Sequence, residues 1–326
     1  MTTAVPMAEV WRGPFLESVH YGHAVICDAK GEIIQSWGNP DAIVLARSSS
    51  KMIQALPLIE SGAAAAYGLT CEQLALTCAS HNGAAIHTNL LKIWLENIGK
   101  SDEDFLCGPQ MPNDNDTKNS LIKLGKKPCQ IHNNCSGKHI GFLTLANHLN
   151  AGANYIDPAH AVQQACLEAF ERTTGETSPG FGIDGCSAPN YACTLKGIAR
   201  AMARFASAKA ESAKGQLRTA MMLHPDLLAG EGRACTRLIR AMGAKVAIKT
   251  GAEGFFTAIL PEQRLGVALK ISDGTTRASE CAIAQILVKL GVLDPNHPEA
   301  LAFTNGPILN WRNVETGYLR AAPSLL

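Results

Sequence analysis

The sequence lacks the features that would mark a nucleic-acid-binding, membrane or secreted protein. Its formal net charge at pH 7 is only +1, so the chain offers no basic field for a phosphate backbone. No run of 18 apolar residues occurs. The first residues carry neither a basic segment nor the sustained apolar stretch of a secretion signal. We therefore expect a cytoplasmic protein that binds neither nucleic acid nor membrane.

Disulfide bonds and tandem repeats are not expected either. The 11 cysteines are odd in number, irregularly spaced and without a Cys-x-x-Cys pair, which argues against a disulfide framework in a chain of 326 residues. No repeat and no low-complexity linker divides the sequence. Because 46% of the residues are hydrophobic and only 17% are charged, the composition predicts a single domain over residues 1–326 with a large core.

Strand patterns occur near both ends of the chain. Residues 23–28 and 32–37 flank a short turn with a glycine, which predicts a hairpin. Residues 245–249, 255–260 and 265–271 predict an antiparallel meander. Residues 305–326 show no pattern that we can assign.

The segment between these strands has the periodicity of helices. Thr70 and Gln73 form a capping-box pattern ahead of a short apolar helix, and residues 85–98 predict a helix that ends at Gly99. Asp157-Pro158 is expected to open another helix that runs to Gly175. Further helices are predicted between residues 196 and 242 and over about 277–290.

These patterns predict an α/β (α+β) fold. An antiparallel sheet is expected from residues of about 8–45 and 244–272, with helices packed against it. A helical part is expected as an insertion over about 50–242.

Three short motifs carry residues suited to nucleophilic catalysis. Ser48 and Lys51 lie three positions apart where a helix is expected to begin, so their side chains would share one face. A serine hydroxyl is a weak nucleophile until a neighbour takes its proton, and a lysine does so only when burial or a second cation lowers the amine pKa. Alone the motif is weak, since Ser120 and Lys123 match it on what resembles an ordinary helix surface.

Two later motifs strengthen this interpretation. Ser80-His81-Asn82 follows a short apolar helix, and Lys249-Thr250-Gly251 ends a strand. In this order, Ser-x-x-Lys, Ser-x-Asn and Lys-Thr-Gly resemble the three signatures of serine β-lactamases and penicillin-binding proteins. They would supply a nucleophile and its base, a relay hydroxyl for the leaving amine, and a cation that attracts a substrate carboxylate.

The context of these motifs resembles the rhizobial-type L-asparaginase II family from about residue 10 to residue 292. The segments that carry the resemblance are Ala46–Gln54, Ala79–Gly83, Asn134–His139, Asp184–Cys186 and Lys249–Gly254. The resemblance implies a serine β-lactamase-like fold, amidohydrolase activity, a homodimer and two Ser-Lys pairs, Ser48 with Lys51 and Ser80 with Lys249. It also implies a zinc ion beside the active site, held by Cys135, Lys138 and Cys186.

The residues themselves are compatible with that metal site. Cys135 and Lys138 are three apart at an expected helix start, so they can converge, and Cys186 lies in a loop. Two thiolates suit zinc, whereas a lysine ligand must be neutral. Since serine would be the nucleophile, we expect zinc to orient the substrate rather than to activate water.

Further residues in these segments are candidates for substrate binding: Arg47, Asn82, Asp184, His139, Glu253 and Cys235. Arg47 adjoins the expected nucleophile, and its guanidinium fork accepts two carboxylate oxygens. Asp184 would receive a substrate ammonium or support the metal ligands. His139 is either a pocket residue or a structural histidine, and Cys235 is either near the active site or only a buried thiol.

The sequence therefore predicts hydrolysis of L-asparagine to L-aspartate and ammonia through an acyl-enzyme on Ser48, faster at higher pH. Three alternatives stay open. The chain could be a glutaminase, since one methylene separates the two substrates by only about 1–3 kcal/mol. It could be a β-lactamase or D,D-peptidase, or a sensor that binds an amino acid without catalysis.

Overall fold

The chain folds into two compact units. In this computed structural model, which describes residues 3–326, one unit contains residues up to 49, residues 193–207 and residues 237–326. It holds the main sheet and is called the sheet unit below. Residues 50–192 and 208–236 form the second, largely helical unit. The expectation of one domain over the whole chain stays a prediction.

Eleven strands occur in the described residues. They are β1 (Val5–Arg12), β2 (Phe15–Asp28), β3 (Ile33–Trp37), β4 (Ile43–Leu45), β5 (Phe181–Ile183), β6 (Pro189–Thr194), β7 (Ala247–Gly251), β8 (Phe255–Leu260), β9 (Leu265–Ile271), β10 (Asn305–Leu309) and β11 (Glu315–Ala321).

The α-helices are α1 (Lys51–Gln54), α2 (Leu56–Glu60), α3 (Ala63–Ala66), α4 (Cys71–Thr77), α5 (Ala85–Asn97), α6 (Asn115–Lys123), α7 (Ser136–His148), α8 (Ala161–Thr174), α9 (Leu195–Ala206), α10 (Ala213–Leu223), α11 (Pro225–Leu228), α12 (Ala234–Ala241), α13 (Thr276–Lys289) and α14 (Pro298–Thr304). Short 3-10 helices cover Arg47–Ser50, Asp102–Asp104, Gln130–His132 and Pro323–Leu325.

The sheet of the sheet unit has the strand order β10-β11-β1-β2-β9-β8-β7, with β3 also paired to β2. All of these pairings are antiparallel. All six residues of β8 are buried, and both α9 and α13 pack against this strand. Each large apolar side chain removed from water there contributes about 1.5–3 kcal/mol. The prediction of a mixed fold whose antiparallel sheet joins the two ends of the chain is confirmed.

The helical unit is organised around α7. Its residues from Ser136 to Ala146 are all buried, and α4, α5 and α8 pack against it. Gly137 permits the close approach of α4, because a methyl group at this position would lie 2.1 Å from the carbonyl oxygen of Leu76. This packing fixes the start of α7 against the loop that follows α4.

Most predicted elements are confirmed, with two shifts in position. The hairpin forms as β2 and β3, and the meander forms as β7, β8 and β9. Strand β7, however, begins and ends two residues later than predicted. The helix expected at Asp157-Pro158 begins only at Ala161, because the Asp157 carboxylate accepts the backbone N–H of Ala159 in a turn and His160 caps the helix.

The C-terminal segment that the sequence left unassigned forms β10 and β11. Strand β11 lies inside the sheet, paired to β10 on one side and to β1 on the other. Among residues 3–326, no helix is both long and apolar enough to cross a bilayer.

Candidate active site

Ser80 lies in the loop after α4, in the helical unit. This helix begins where predicted, because the Thr70 hydroxyl accepts the backbone N–H of Gln73 and the Gln73 side chain accepts that of Thr70. The backbone N–H of Ser80 then donates to the carbonyl oxygen of Leu228 at 3.0 Å. Ser80 is buried and held in place by its backbone.

Lys51 begins α1, and its side chain is 1% exposed. Its side-chain nitrogen donates to the carbonyl oxygen of Ala79 at 2.5 Å and contacts the Ser80 hydroxyl at 3.1 Å. It also lies 3.2 Å from the sulfur of Cys135. Two of the predicted catalytic groups, an amine and a hydroxyl, are thus in direct contact in a site largely shielded from water.

The three predicted metal ligands converge at the start of α7. Cys135 is the residue immediately before this helix and Lys138 lies in its first turn. The Lys138 nitrogen is 3.1 Å from the sulfur of Cys186, and all three side chains are buried. Cys186 lies in the loop between β5 and β6, with its sulfur 3.8 Å from a carboxylate oxygen of Asp184.

The two thiols have opposite pKa shifts because they lie beside each other. The neighbouring Cys135 thiol lowers the pKa of Cys186 far below its ordinary value against the effect of burial, and Lys138 lowers it further. Cys186, together with burial, raises the pKa of Cys135. Burial opposes the charge of Lys138, but the neighbouring sulfurs raise its pKa overall. These shifts favour a negative charge at Cys186 beside a positive charge at Lys138.

These donors fit a zinc ion. Two sulfurs and an amine meet in a buried cluster, and zinc bound by thiolates would itself displace the protons of Cys135 and Lys138. Within residues 3–326, no three His, Cys, Asp or Glu side chains converge as a metal site.

Two histidines of the motif segments are buried beside the cluster. His139 contacts the hydroxyl of Tyr155 through Nδ1 at 2.9 Å, and burial lowers its pKa. His81 contacts the Ser136 hydroxyl at 2.9 Å and accepts the backbone N–H of Gly83.

Asn82 and Cys235, the other substrate-binding candidates of the helical unit, are buried as well. A carbonyl oxygen on the Asn82 side chain accepts the backbone N–H of Ala84, so this side chain also shapes the loop. Cys235 lies near the start of α12.

The remaining predicted residues belong to the sheet unit. Ser48 lies in the 3-10 helix Arg47–Ser50, whose Ser49 hydroxyl donates to the carbonyl oxygen of Lys249 at 2.9 Å. The side chain of Lys249 is buried, and its nitrogen donates to the carbonyl oxygen of Thr250. The short helix that carries Ser48 is therefore fastened to strand β7. Arg47 and Glu253 line a cavity in this unit.

The structure thus groups the predicted residues by unit. Lys51 and Ser80 are in contact in the helical unit, next to the metal-ligand candidates, whereas Ser48 and Lys249 lie on neighbouring segments of the sheet unit. The pairing of Ser48 with Lys51 and of Ser80 with Lys249 stays a prediction.

Sequence reasoning missed two residues that contact the cluster. Asn134 accepts from the Cys135 thiol at 2.9 Å, and Tyr155 holds His139 while its hydroxyl accepts the backbone N–H of Leu106. Asn134 precedes a predicted ligand directly, and that position was its only signal. Tyr155 lies outside every motif, and only the folded chain brings it to α7.

Comparison with known proteins gives one extensive match. The family model described as L-asparaginase II matches residues 8–321. No curated protein matches the chain.

The similar solved structures are distant. One is of Mglu, at 12% identity and a TM-score of 0.47, with 83% of this chain and 67% of that chain covered. Another is a β-lactamase from Mycobacterium bovis, at 11% identity and a TM-score of 0.43, with 82% and 94% covered. A third is a Bacillus subtilis glutaminase in covalent complex with 5-oxo-L-norleucine, at 11% identity and a TM-score of 0.37, with 84% and 89% covered. The chain spans about two thirds of the length of Mglu.

Proposed function

The chain belongs to the L-asparaginase II family, and from this premise we propose that it hydrolyses the side-chain amide of L-asparagine to L-aspartate and ammonia. Family membership over residues 8–321 makes it an amidohydrolase of the asparaginase type. The identity of the substrate and the mechanism are the parts that we propose.

One observation carries the mechanism. The amine of Lys51 is fully enclosed, is oriented by the carbonyl oxygen of Ala79 and touches the hydroxyl of Ser80 at 3.1 Å. A buried amine in contact with a serine hydroxyl is suited to proton transfer, and we propose that the same amine also serves the nucleophile Ser48. The neighbouring Ser48 precedes Lys51 by three residues in consecutive helical turns.

In the proposed reaction, the Ser48 oxygen bonds to the side-chain amide carbon while uncharged Lys51 accepts the serine proton. Backbone N–H groups, including that of Ser48, stabilise the oxyanion. The carbon–nitrogen bond then breaks, and Ser80, partnered by Lys249, gives a proton to the departing ammonia. Water adds to the acyl-enzyme with the same groups acting in reverse, which releases L-aspartate and restores Ser48.

We propose further that Cys135, Lys138 and Cys186 hold a zinc ion. The buried sulfur–amine cluster and the lowered pKa of Cys186 support this proposal. A bound zinc ion would supply a fixed positive charge that helps to orient the substrate. The serines and lysines carry the proton transfers.

Ammonia release from L-asparagine tests the reaction. We expect Ser48→Ala to lower kcat by about 10⁴-fold or more, as removal of a nucleophile does in other hydrolases. Ser120→Ala is the matched control, since Ser120 also precedes a lysine by three residues but lies exposed on α6, and it should keep the wild-type rate. Wild-type turnover in Ser48→Ala would remove Ser48 from the mechanism.

Parallel assays with L-glutamine and nitrocefin separate the alternatives. Faster turnover of glutamine would make the protein a glutaminase, and turnover of nitrocefin alone would make it a β-lactam hydrolase. Binding of asparagine without ammonia release would indicate a sensor.

Metal analysis of the purified protein tests the zinc site. We expect about one zinc per chain, and far less in Cys135→Ser. Cys166→Ser is the control. Cys166 is also buried, but its thiol donates a hydrogen bond to the carbonyl oxygen of Gln54 in α1 and is not one of the proposed ligands. Equal zinc in the two variants would contradict the assignment.

A further inference from the structure

A cavity of about 510 Å³ lies wholly within the sheet unit, beside the residue that precedes Ser48. Five polar side chains line it, together with the residues of β4: His23, Arg47, Glu253, Lys270 and Ser272. Arg47 and Glu253 were candidates from the sequence, but nothing in the motifs pointed to His23, Lys270 or Ser272.

Lys270 brings a cation with unused bonding capacity to this cavity. Its nitrogen donates to the carbonyl oxygens of Glu253 and Ile271, both at 2.6 Å. No carboxylate of the described residues forms an ion pair with it within 4 Å. An ammonium group has three donors, so one remains for a molecule that enters the cavity.

His23 contributes a neutral N–H donor. Its Nδ1 accepts the backbone N–H of Asn39 at 2.9 Å, which places the ring proton on Nε2. Gly38 makes this contact accessible, because a methyl group there would lie 2.3 Å from Nδ1. Burial and the charge of Lys270 both lower the pKa of His23, so the ring stays uncharged near neutral pH.

The backbone around the cavity is strained at two positions. Arg47 has φ +51° and Glu253 has φ +61°, in the left-handed region that residues other than glycine rarely adopt. Such conformations cost about 1–3 kcal/mol each and persist where the surrounding structure enforces them, most often at functional sites. Both strained residues line the same cavity.

We propose that this cavity binds the head group of a free amino acid. Arg47, Lys270 and His23 donate to the α-carboxylate, and the carboxylate of Glu253 accepts from the α-ammonium. The inference rests on the proposed function, because the head group belongs to the same amide substrate. It restricts the substrates to free amino acids with a side-chain amide and excludes amides within peptides.

The test compares L-asparagine with L-asparagine methyl ester, which keeps the side-chain amide and the ammonium but lacks the α-carboxylate charge. We expect Lys270→Met to raise KM for L-asparagine by about 10- to 100-fold, as the loss of a charge-assisted hydrogen bond does. KM for the ester and kcat for both should change less than about threefold. Lys245→Met, at an exposed lysine of the same unit, should match the wild type on both substrates.

Lys270 also donates to the carbonyl oxygens of Glu253 and Ile271, so Lys270→Met could raise KM by disturbing this turn. Two further variants distinguish that effect from the loss of substrate binding. Lys270→Arg keeps the charge and the donors and should keep KM for L-asparagine near the wild-type value. His23→Ala should also raise KM for L-asparagine selectively. Equal rises for the ester and L-asparagine in Lys270→Met and His23→Ala, or no rise in either variant, would overturn the proposal.

Calorimetry with L-aspartate separates this inference from the proposed function. If the wild-type protein releases no ammonia but binds L-aspartate, and Lys270→Met weakens that binding at least about tenfold, the head-group site stands while the asparaginase assignment fails. If the protein releases ammonia from L-asparagine but neither variant changes KM or L-aspartate binding, the asparaginase assignment stands and the head-group site is wrong. A wild-type protein that binds neither L-asparagine nor L-aspartate would remove both.

Discussion

The stacked imidazole rings of His81 and His87 link the stability of the helical unit to pH. Their centroids are 4.8 Å apart, and both rings are buried. Burial, followed by the charge of His87, lowers the pKa of His81 well below its ordinary value, and burial also lowers the pKa of His87. The lowered pKa values favour the uncharged form of both stacked rings in the folded protein.

The direction of the pH effect follows from these lowered pKa values. The unfolded chain takes up protons on both histidines near pH 6.5, whereas the folded chain resists protonation, most strongly at His81. Stability is therefore complete above that pH and declines below it. We expect His81 to lower the free energy of unfolding by about 1 kcal/mol between pH 6.5 and 5.5, and His87 to add a smaller loss, measured by urea denaturation.

A substitution isolates this contribution. His87→Phe keeps an aromatic ring on His81 but cannot be protonated, so the loss of stability between pH 7.5 and 5.5 should be smaller than in the wild type. A wild-type slope in His87→Phe would show that the stacked pair does not titrate on unfolding.

Residue type and spacing predicted some residues of the site but not others. Lys51 and Ser80 were found from motif spacing and Cys135 and Lys138 from the family resemblance, and the structure places them in one cluster. The contact between Lys51 and Ser80 was not predicted, because sequence spacing ties Lys51 only to Ser48. Lys270 carried no signal at all, since a lysine at the end of a strand is ordinary on any surface.

The capping box of α4 is the element-scale feature with the clearest consequence. This seven-residue helix leads into the loop that carries Ser80, and its first turn is closed by Thr70 and Gln73. Thr70→Ala removes the hydroxyl acceptor and should lower the free energy of unfolding by about 1 kcal/mol. Thr70→Ser retains the acceptor and should lie within a few tenths of a kcal/mol of the wild type. Denaturant titrations that rank the two variants equally would contradict this role.

Elements with local signals were predicted well, and those defined by distant partners were not. The capping box and the glycine after α5 fixed two helices almost to the residue. The start of α8 was misplaced because His160, an unusual cap, competes with the preceding proline. Strands β10 and β11 escaped prediction because β10 has no fully buried residue and burial in β11 does not alternate regularly. In addition, β11 depends on β1, about 310 residues away along the chain.

At the scale of the whole molecule, the C-terminal hairpin completes the sheet. Strand β11 pairs with β1 from Ala8 to Trp11, and the Trp37 indole donates to the carbonyl oxygen of Ser324. Removal of residues 305–326 would leave one complete edge of β1 unpaired, and unpaired edges promote aggregation. We expect the truncated protein to accumulate mainly as insoluble material.

A milder change tests the same edge in soluble protein. Leu319 pairs with Val10 in the register of β11 and β1, and Leu319→Pro would interrupt this ladder. Its unfolding midpoint in urea should fall by an amount equivalent to about 1–3 kcal/mol, because a ladder hydrogen bond is lost. Leu319→Val, which suits a strand, is the control. Equal midpoints in the proline and valine variants would show that the hairpin contributes little.

The chain passes from one unit to the other four times, after Ser49, Ala192, Ser207 and Thr236. Strand β2 pairs with β9, whose residues follow it by about 240 positions, so the centre of the sheet stays open during synthesis until most of the chain has left the ribosome. At about 5–20 residues per second, the N-terminal strands wait tens of seconds for their partner. Nascent chains stalled before residue 265 should therefore stay bound to chaperones, and release should follow the emergence of β9.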